Sequence, residues 1–150
     1  VMKGYWRNEK ATAETLRGGW LHTGDGGYMD DDGYVYVVDR LKDMIVSGGE
    51  NVYSAEVENA LCRHPAVAAC AVIGIPSRVW GEAVHAVVVR RDGASLDAGE
   101  LKAFCREFIA GYKVPKSIEF AASLPMSGPG KVLKHVLREP FWKDRDRQVS

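Results

Sequence analysis

The sequence predicts an α+β protein in which helices pack against a small mixed β-sheet. Short β-rich apolar runs alternate with two segments of helical periodicity, and turn-forming glycines and prolines separate them. With 46% hydrophobic residues among 150, the chain has enough apolar side chains to build a core. The 20 basic residues balance the 20 acidic ones, which argues against a protein that binds nucleic acid mainly through phosphates.

A first unit is expected over residues 1–38, with a short helix near residues 11–16 and a β-hairpin at its end. The hairpin is predicted because apolar runs flank an Asp-Gly turn, in which Gly33 supplies a positive φ. The aspartates of this turn do not form a calcium-binding EF-hand loop, because Tyr28 would occupy the first ligand position.

A second unit, residues 39–150, is predicted to follow the order ββαββαβ with a further short helix at its end. Its first strand covers residues 43–46. Ser54 is the expected N-cap of the first helix, which runs to about Arg63 and ends before Pro65.

The run over residues 66–75 is apolar throughout, so it is predicted to be a central strand buried on both faces. The second helix is expected to begin at the N-cap Asp97 and to end at the C-cap Gly111. The remaining predicted elements are an apolar helix stripe of Leu101, Phe104, Cys105 and Phe108, strands at 83–90 and 117–122, and a helix from about Val132.

The segment Gly128-Pro129-Gly130-Lys131 places a lysine in a glycine loop, which suits a phosphate because the ammonium is a compact charge. It is not a Walker A loop, since Val132 stands where that motif needs a hydroxyl. The alternative interpretation, an ordinary surface lysine in a turn, stays open on the residues alone.

Two further loops are candidate binding sites. Gly48 and Gly49 leave a stretch of backbone without Cβ atoms, along which a chain-like ligand can lie. Asp25, in Thr23-Gly24-Asp25, presents a carboxylate that can accept hydrogen bonds from paired hydroxyls such as those of a ribose. Both segments are also compatible with simple tight turns.

No metal site is predicted, because the four histidines lack metal-ligand spacing and the three cysteines include no C-x-x-C pair. Cys62, Cys70 and Cys105 are interpreted as small core residues, and their free thiols favour a reducing, cytoplasmic setting. The longest apolar run, residues 66–75, is about half of the ~20 residues that a membrane-spanning helix needs.

Four separated motifs, taken in order, resemble the C-terminal part of the adenylate-forming enzymes, above all the acyl-CoA synthetases and aryl-CoA ligases. They are G-W-L-H-T-G-D at 19–25, D-R-L-K-D-M-I-V-S-G-G-E-N-V-Y at 39–53, V-W-G-E at 79–82 and P-M-S-G-P-G-K-V-L-K at 125–134. The resemblance covers nearly the whole chain. It implies that residues 1–38 are the trailing edge of a large N-terminal adenylation domain and that 39–150 are the mobile C-terminal domain.

The resemblance implies a ligase that uses ATP, CoA and Mg²⁺, the metal being held mainly through ATP and the missing large domain. A carboxylate and ATP give an acyl-adenylate and pyrophosphate, and the CoA thiol then displaces AMP. Fatty acids are the favoured substrates, with aryl acids open. The chain alone is expected to be inactive, and its partners are the acid, ATP, CoA and the large domain.

For the adenylation step, the resemblance assigns Asp25 to the ribose hydroxyls, Arg40 to the ribose or phosphate of the nucleotide and Lys131 to catalysis. Lys42 falls on the hinge, where an exposed polar residue can change its backbone angles without disrupting a core.

For the thioester step, the resemblance places Gly48 and Gly49 along the pantetheine channel and Trp80 beside CoA. Val114 replaces an arginine that some ligases direct at the CoA phosphates, and Lys113 or Lys116 is the expected substitute. Two alternatives remain: an adenylation domain that passes its acyl group to a carrier protein, and a stand-alone module that binds CoA or a nucleotide.

Overall fold

A computed structural model describes residues 2–143 of the chain. These residues form two compact units, which divide between Leu41 and Lys42. The sequence placed the boundary after Val38. The first unit extends further because Asp39 and Arg40 continue a strand pairing with Gly26 and Asp25.

The first unit contains a short helix and the expected antiparallel hairpin. Asn8 caps the helix by accepting a hydrogen bond from the Ala11 N–H at 3.0 Å. In the hairpin turn, the Asp30 carboxylate accepts hydrogen bonds from two backbone N–H groups, and Gly33 has φ of +86°. The elements are α1 (Glu9–Thr15), β1 (Asp25–Met29) and β2 (Val35–Arg40).

The second unit is a five-stranded mixed sheet with three helices among its described residues. Its order, ββαββαβα, confirms the order predicted from the sequence. The elements are β3 (Ile45–Ser47), β4 (Glu50–Val52), α2 (Ser54–Cys62), β5 (Val67–Ser77), β6 (Gly81–Arg90), α3 (Ala98–Cys105), β7 (Ser117–Phe120) and α4 (Lys134–Trp142). Strand β6 lies at the centre of the sheet, antiparallel to β3 and β5 and parallel to β7.

The prediction that β5 is a central strand is wrong, because β5 ends the strand order and, within residues 2–143, pairs with β6 alone. Helices α2 and α4 both pack against it. The Val72 N–H donates to Glu58 Oε1 at 2.7 Å, and Trp142 Nε1 donates to the Gly74 carbonyl at 3.0 Å. Side chains from the two helices thus satisfy backbone groups of an edge strand, which explains why an edge can carry a continuous apolar run.

Two predicted helix caps also differ from the structure. The N-cap of α2 is Tyr53 rather than Ser54, because the buried Ser54 hydroxyl accepts a hydrogen bond from Lys134 Nζ at 2.7 Å. Helix α3 ends at Cys105, so Gly111 does not cap it. The predicted cap Asp97 is present, and its Oδ1 accepts from the backbone N–H groups of Gly99 and Glu100 at 2.6 and 2.9 Å.

The core of the second unit lies between the sheet and helices α2 and α3. Its apolar side chains come from alternate strand positions and from one stripe of each helix, as the sequence periodicity predicted. Phe108 is an exception, because it is 42% exposed, with the Arg63 guanidinium 4.7 Å from its ring centre. Core residues include Ile45, Val57, Leu61, Val72, Val84, Val88, Leu101 and Cys105.

A buried histidine lies near the middle of β6. The His85 side chain has Nδ1 2.7 Å from Ser117 Oγ and Nε2 3.8 Å from Glu119 Oε2. Burial lowers the pKa of His85, and the nearby Glu119 carboxylate opposes that shift in part. The neutral imidazole is therefore the form that the fold stabilises.

We expect the free energy of unfolding to decrease as the pH falls from about 6.5, the ordinary histidine pKa, through the lower folded pKa of His85. In that range the unfolded chain binds a proton that the folded chain resists, whereas above it both states are neutral. An NMR titration of the imidazole should place the pKa of His85 below the ordinary histidine value of about 6.5. A pKa of His85 at or above the ordinary value would contradict this account.

Candidate functional site

In the first unit, Asp25 and Arg40 are direct partners across β1 and β2. Arg40 Nε lies 3.8 Å from Asp25 Oδ1, and the two side chains are 55% and 34% exposed, respectively. The Asp25 N–H donates to Thr23 Oγ1 at 3.2 Å, which fixes the turn before the strand. A carboxylate that accepts hydrogen bonds thus stands beside a guanidinium that donates them, both open to solvent. Such a pair suits a ligand that carries hydroxyls and a negative charge.

Lys42, the predicted hinge residue, is the first residue of the second compact unit. It is exposed and lies in a short 3-10 turn, Leu41–Asp43, that follows β2. The next residue, Asp43, forms an ion pair with Arg138 of α4. The backbone on one side of Lys42 therefore belongs to a hairpin, and on the other side it is fixed to the core of the second unit.

Gly48 and Gly49 form the two-residue turn between β3 and β4. Their φ angles are +63° and +86°, as a tight hairpin turn of this length requires. A Cβ on Gly48 would lie 2.9 Å from the Trp80 ring, whereas no described atom lies within 4 Å of the position that a Cβ on Gly49 would take. The Trp80 ring thus leaves no room for a side chain at position 48, whereas the backbone of Gly49 faces open space.

Trp80 stands next to this turn and is 47% exposed. The Gly48 N–H donates to the Trp80 carbonyl at 2.8 Å, and Ser77 Oγ accepts from the Trp80 N–H at 3.2 Å. Lys116 Nζ lies 5.3 Å from the centre of the Trp80 ring. The structure therefore brings Gly48, Trp80 and Lys116 into one exposed cluster, a juxtaposition that the sequence did not locate.

Lys113, the other lysine considered for the CoA phosphates, is already engaged. Its Nζ is 2.7 Å from both carboxylate oxygens of Glu56, which raises the pKa of Lys113. Val114 is buried at 3% exposure. Of the two candidate lysines, Lys116 is the one that lies beside Trp80.

Lys131 lies at the end of a tight turn that begins at Ser127. The Lys131 N–H donates to Ser127 Oγ at 3.1 Å, and the Lys131 carbonyl accepts from the Ser127 N–H at 2.8 Å. Gly130 has φ of +79°, which the turn requires. The Lys131 side chain is exposed and has no hydrogen bond or ion pair within residues 2–143. Its ammonium is available to a ligand.

Helix α4 follows this turn and is held to α2, to the turn before β3 and to β5 by three side chains that share one face. Lys134 Nζ lies 2.7 Å from Glu58 Oε1 and from Ser54 Oγ, Arg138 pairs with Asp43, and Trp142 bonds to Gly74. Sequence reasoning missed these contacts, although the spacing of 134, 138 and 142 by four residues is a signal for one helical face. The helix that carries the Lys131 turn is therefore firmly attached to the second unit.

The predicted site residues thus fall into two groups. Asp25 and Arg40 lie in the first unit, and Gly48, Gly49, Trp80 and Lys131 in the second. Among residues 2–143, no three histidines, cysteines or acidic residues are placed to bind a metal ion. In the same part of the chain, no helix combines the length and the apolar character that crossing a membrane requires.

Comparison with known proteins gives one family and several relatives. The profile of the AMP-binding enzyme C-terminal domain matches residues 56–131. A feruloyl-CoA synthase from an Amycolatopsis species is 60% identical over 141 residues, which cover 94% of this chain and 29% of the relative. The fatty acid–[acyl-carrier-protein] ligase ScoC of Streptomyces coeruleorubidus is 48% identical over 97% of this chain and 28% of its own length.

Among solved structures, the o-succinylbenzoate CoA synthetase of Bacillus subtilis, in complex with its acyl-adenylate intermediate, superposes with a TM-score of 0.86 at 42% identity. The match covers 98% of this chain and 29% of that one. The chain thus spans less than a third of the length of each of these relatives.

Proposed function

Because the chain belongs to the AMP-binding enzyme C-terminal domain family, we propose that it is the C-terminal part of an AMP-forming acyl-CoA synthetase. A carboxylate oxygen attacks the α-phosphorus of ATP, and pyrophosphate leaves. The thiol of CoA then attacks the acyl carbon, and AMP leaves as the thioester forms. The observation that carries the proposal is that one compact unit offers two different surfaces. One is the Lys131 ammonium, which has no partner within residues 2–143, and the other is a bare glycine turn beside the exposed Trp80.

In the adenylation step, the Lys131 ammonium binds between the substrate carboxylate and the α-phosphate. The two anions repel each other, so a cation that contacts both stabilises the transition state more than the separated reactants. The turn from Ser127 to Lys131 fixes the lysine backbone by two hydrogen bonds, and α4 attaches that turn to the sheet. This support reduces the reorganisation that would otherwise precede the reaction.

The ion pair of Asp25 and Arg40 is proposed to bind the nucleotide. The carboxylate accepts hydrogen bonds from the ribose hydroxyls, while the guanidinium donates to the ribose or phosphate. Both groups are exposed enough to exchange their 3.8 Å contact for the ligand. Mg²⁺ would be held by the phosphates of ATP and the large domain, since residues 2–143 provide no cluster of metal ligands.

In the thioester step, the second unit turns about Lys42 and presents the Gly48-Gly49 turn in place of Lys131. The pantetheine arm lies along the glycine backbone, where the space around Gly49 is open. The adenine of CoA stacks on Trp80, a contact worth on the order of 1–3 kcal/mol by analogy with other base–aromatic stacks. Lys116, next to that ring, binds a CoA phosphate.

The proposed acid is an aryl or a fatty acid. The expectation from the sequence was a fatty acid, and the fatty acid ligase ScoC supports it at 48% identity. The feruloyl-CoA synthase, at 60% identity, supports an aryl acid, which is therefore the first class to test. The pocket that selects the acid is proposed to lie in the large domain.

The proposal is tested by grafting this chain in place of the matching C-terminal segment of the Amycolatopsis feruloyl-CoA synthase. The chimera should convert ferulate, ATP and CoA to feruloyl-CoA, AMP and pyrophosphate. Its acid preference should follow the donor of the large domain. A folded chimera that binds ATP but completes neither half-reaction would refute the proposal.

Replacing Gly49 by leucine in the chimera should slow thioester formation by about 10- to 100-fold. The leucine side chain would overpack the channel that the pantetheine arm occupies, and overpacking typically costs about 1–3 kcal/mol of free energy. Adenylate formation should stay within a few-fold of the parent. Each half-reaction is measured separately, the second from supplied acyl-adenylate.

The matched control is Gly49→Ala, which has the same backbone strain at φ of +86° but adds only a methyl group. If the alanine and leucine variants lose the CoA step equally, strain in the turn explains the loss and the channel assignment fails. If leucine leaves the CoA step intact, the assignment fails as well.

A second candidate function is transfer of the acyl group to a carrier protein, which the match to ScoC favours. The glycine turn and Trp80 favour CoA. Supplying the chimera with free CoA and with a phosphopantetheine-loaded carrier protein separates the two acceptors. A stand-alone binding module is the third candidate, and tight binding of CoA or AMP by the isolated chain in calorimetry would favour it.

A further inference from the structure

Two cysteines of the second unit lie side by side without being bonded. Cys62 is the last residue of α2, and Cys70 lies in β5, with their Sγ atoms 3.3 Å apart. Cys62 is exposed, whereas Cys70 is partly buried and its thiol donates to the Glu58 carbonyl at 3.6 Å. The interpretation of both as core residues is thus wrong for Cys62, because the end of α2 leaves it at the surface.

The two thiols differ in a way that gives each a separate role. Burial and the neighbouring Cys62 raise the pKa of Cys70, so that Cys70 stays protonated. Cys62 is the thiol that a dissolved oxidant reaches first. A disulfide requires an S–S distance of about 2.03–2.05 Å, so the sulfurs must approach by roughly 1.3 Å. Cys62 lies at a helix end, where a displacement of that size disturbs few backbone hydrogen bonds.

We propose that Cys62 and Cys70 are a reversible redox modification site that forms an intramolecular disulfide on exposure to a hydroperoxide. The Cys62 thiolate attacks the peroxide oxygen, the O–O bond breaks, and a sulfenic acid and an alcohol or water result. The Cys70 sulfur then attacks the sulfenic sulfur while its proton passes to the departing hydroxyl, so that the S–S bond forms, the S–O bond breaks, and water leaves. The peroxide takes up the two electrons that the thiols lose, and a dithiol reverses the reaction.

Cys105 provides an internal control within the same chain. It is fully buried in the core, and burial raises its pKa to about 11. Cys105 is near enough to Cys70 to interact with it electrostatically, but its side chain has no access to solvent, so it should remain a free thiol at peroxide doses that oxidise the pair. This proposal does not depend on the proposed ligase activity.

The test is to treat the dilute 150-residue chain with hydrogen peroxide and then to count free thiols in denaturant. The count should fall from three to one and return to three after dithiothreitol. Trypsin separates the two cysteines at Arg63, so non-reduced mass spectrometry should show residues 43–63 linked to 64–78. The Cys62→Ser variant should keep both of its remaining thiols at the same dose.

Three outcomes would overturn the proposal: retention of all three thiols, oxidation of Cys62 to a sulfinic acid without the linked peptides, or linkage only between molecules. If Cys62→Ser fails to fold, the linked peptides of the parent chain still decide the question.

Discussion

Replacing Lys131 by alanine in the chimera should slow acyl-adenylate formation by about 10²–10³-fold, or 2.7–4 kcal/mol of activation free energy, the usual cost of losing one group that stabilises developing charge. The Lys131 side chain has no partner among the described residues, so its removal leaves no buried group unsatisfied and should not alter the fold. Thioester formation from supplied feruloyl-adenylate should stay within a few-fold of the parent. Pyrophosphate release and thioester formation are measured separately.

Lys10→Ala is the matched control, because Lys10 is also an exposed lysine but lies on α1. It should leave both half-reactions unchanged. An equal loss of both half-reactions in Lys131→Ala would show that Lys131 acts on the whole enzyme rather than on adenylation. A loss confined to the thioester step would reverse the two roles proposed for the second unit.

Replacing Arg138 by alanine should lower the free energy of unfolding of the chain by about 3–5 kcal/mol, the usual cost of removing one partner of a buried ion pair. Arg138 and Asp43 are each 13% exposed at the side chain, so the carboxylate left behind has little access to water. The loss is a large share of the 5–15 kcal/mol that typically separates folded from unfolded domains. Urea unfolding followed by circular dichroism measures it.

Two further variants separate the ion pair from simple packing. Arg106→Ala removes an exposed arginine and should change the stability by less than about 0.5 kcal/mol. The double variant Asp43→Leu with Arg138→Met should recover much of the loss, because apolar side chains of similar volume can replace a buried pair. If Arg138→Ala is as stable as the parent, the pair does not anchor α4.

The parts of the fold that short-range chemistry determines were predictable from the sequence. The hairpin in the first unit follows from Asp30 and Gly33, whose turn bonds and positive φ are local. The cap Asp97 follows for the same reason. The edge position of β5 was not predictable. A continuous apolar run indicates that a strand is buried, but it does not indicate whether other strands or helices bury it, and here helices α2 and α4 pack against β5.

The site residues that lie within a short sequence motif were predictable, whereas the contacts between residues far apart in the chain were not. Gly48, Gly49 and Lys131 were identified by their segments, and the structure supplies the turn geometry around each. The approach of Lys116 to Trp80 and the pairing of Arg138 with Asp43 join residues far apart in the chain. Their residue types were visible in the sequence, but the partner of each is selected only by the tertiary fold.

In the proposed mechanism, the second unit presents Lys131 to the nucleotide in the first step and withdraws it in the second. This mechanism is tested by measuring how fast an amine-reactive reagent labels Lys131 in the chimera, relative to the exposed Lys10. Labelling of Lys131 should fall at least about tenfold when a stable feruloyl-adenylate analogue fills the site, by analogy with other lids that sequester the reacting centre. It should recover when CoA is added to that complex. Equal labelling of Lys131 in the free, adenylate-bound and CoA-bound states would contradict the account.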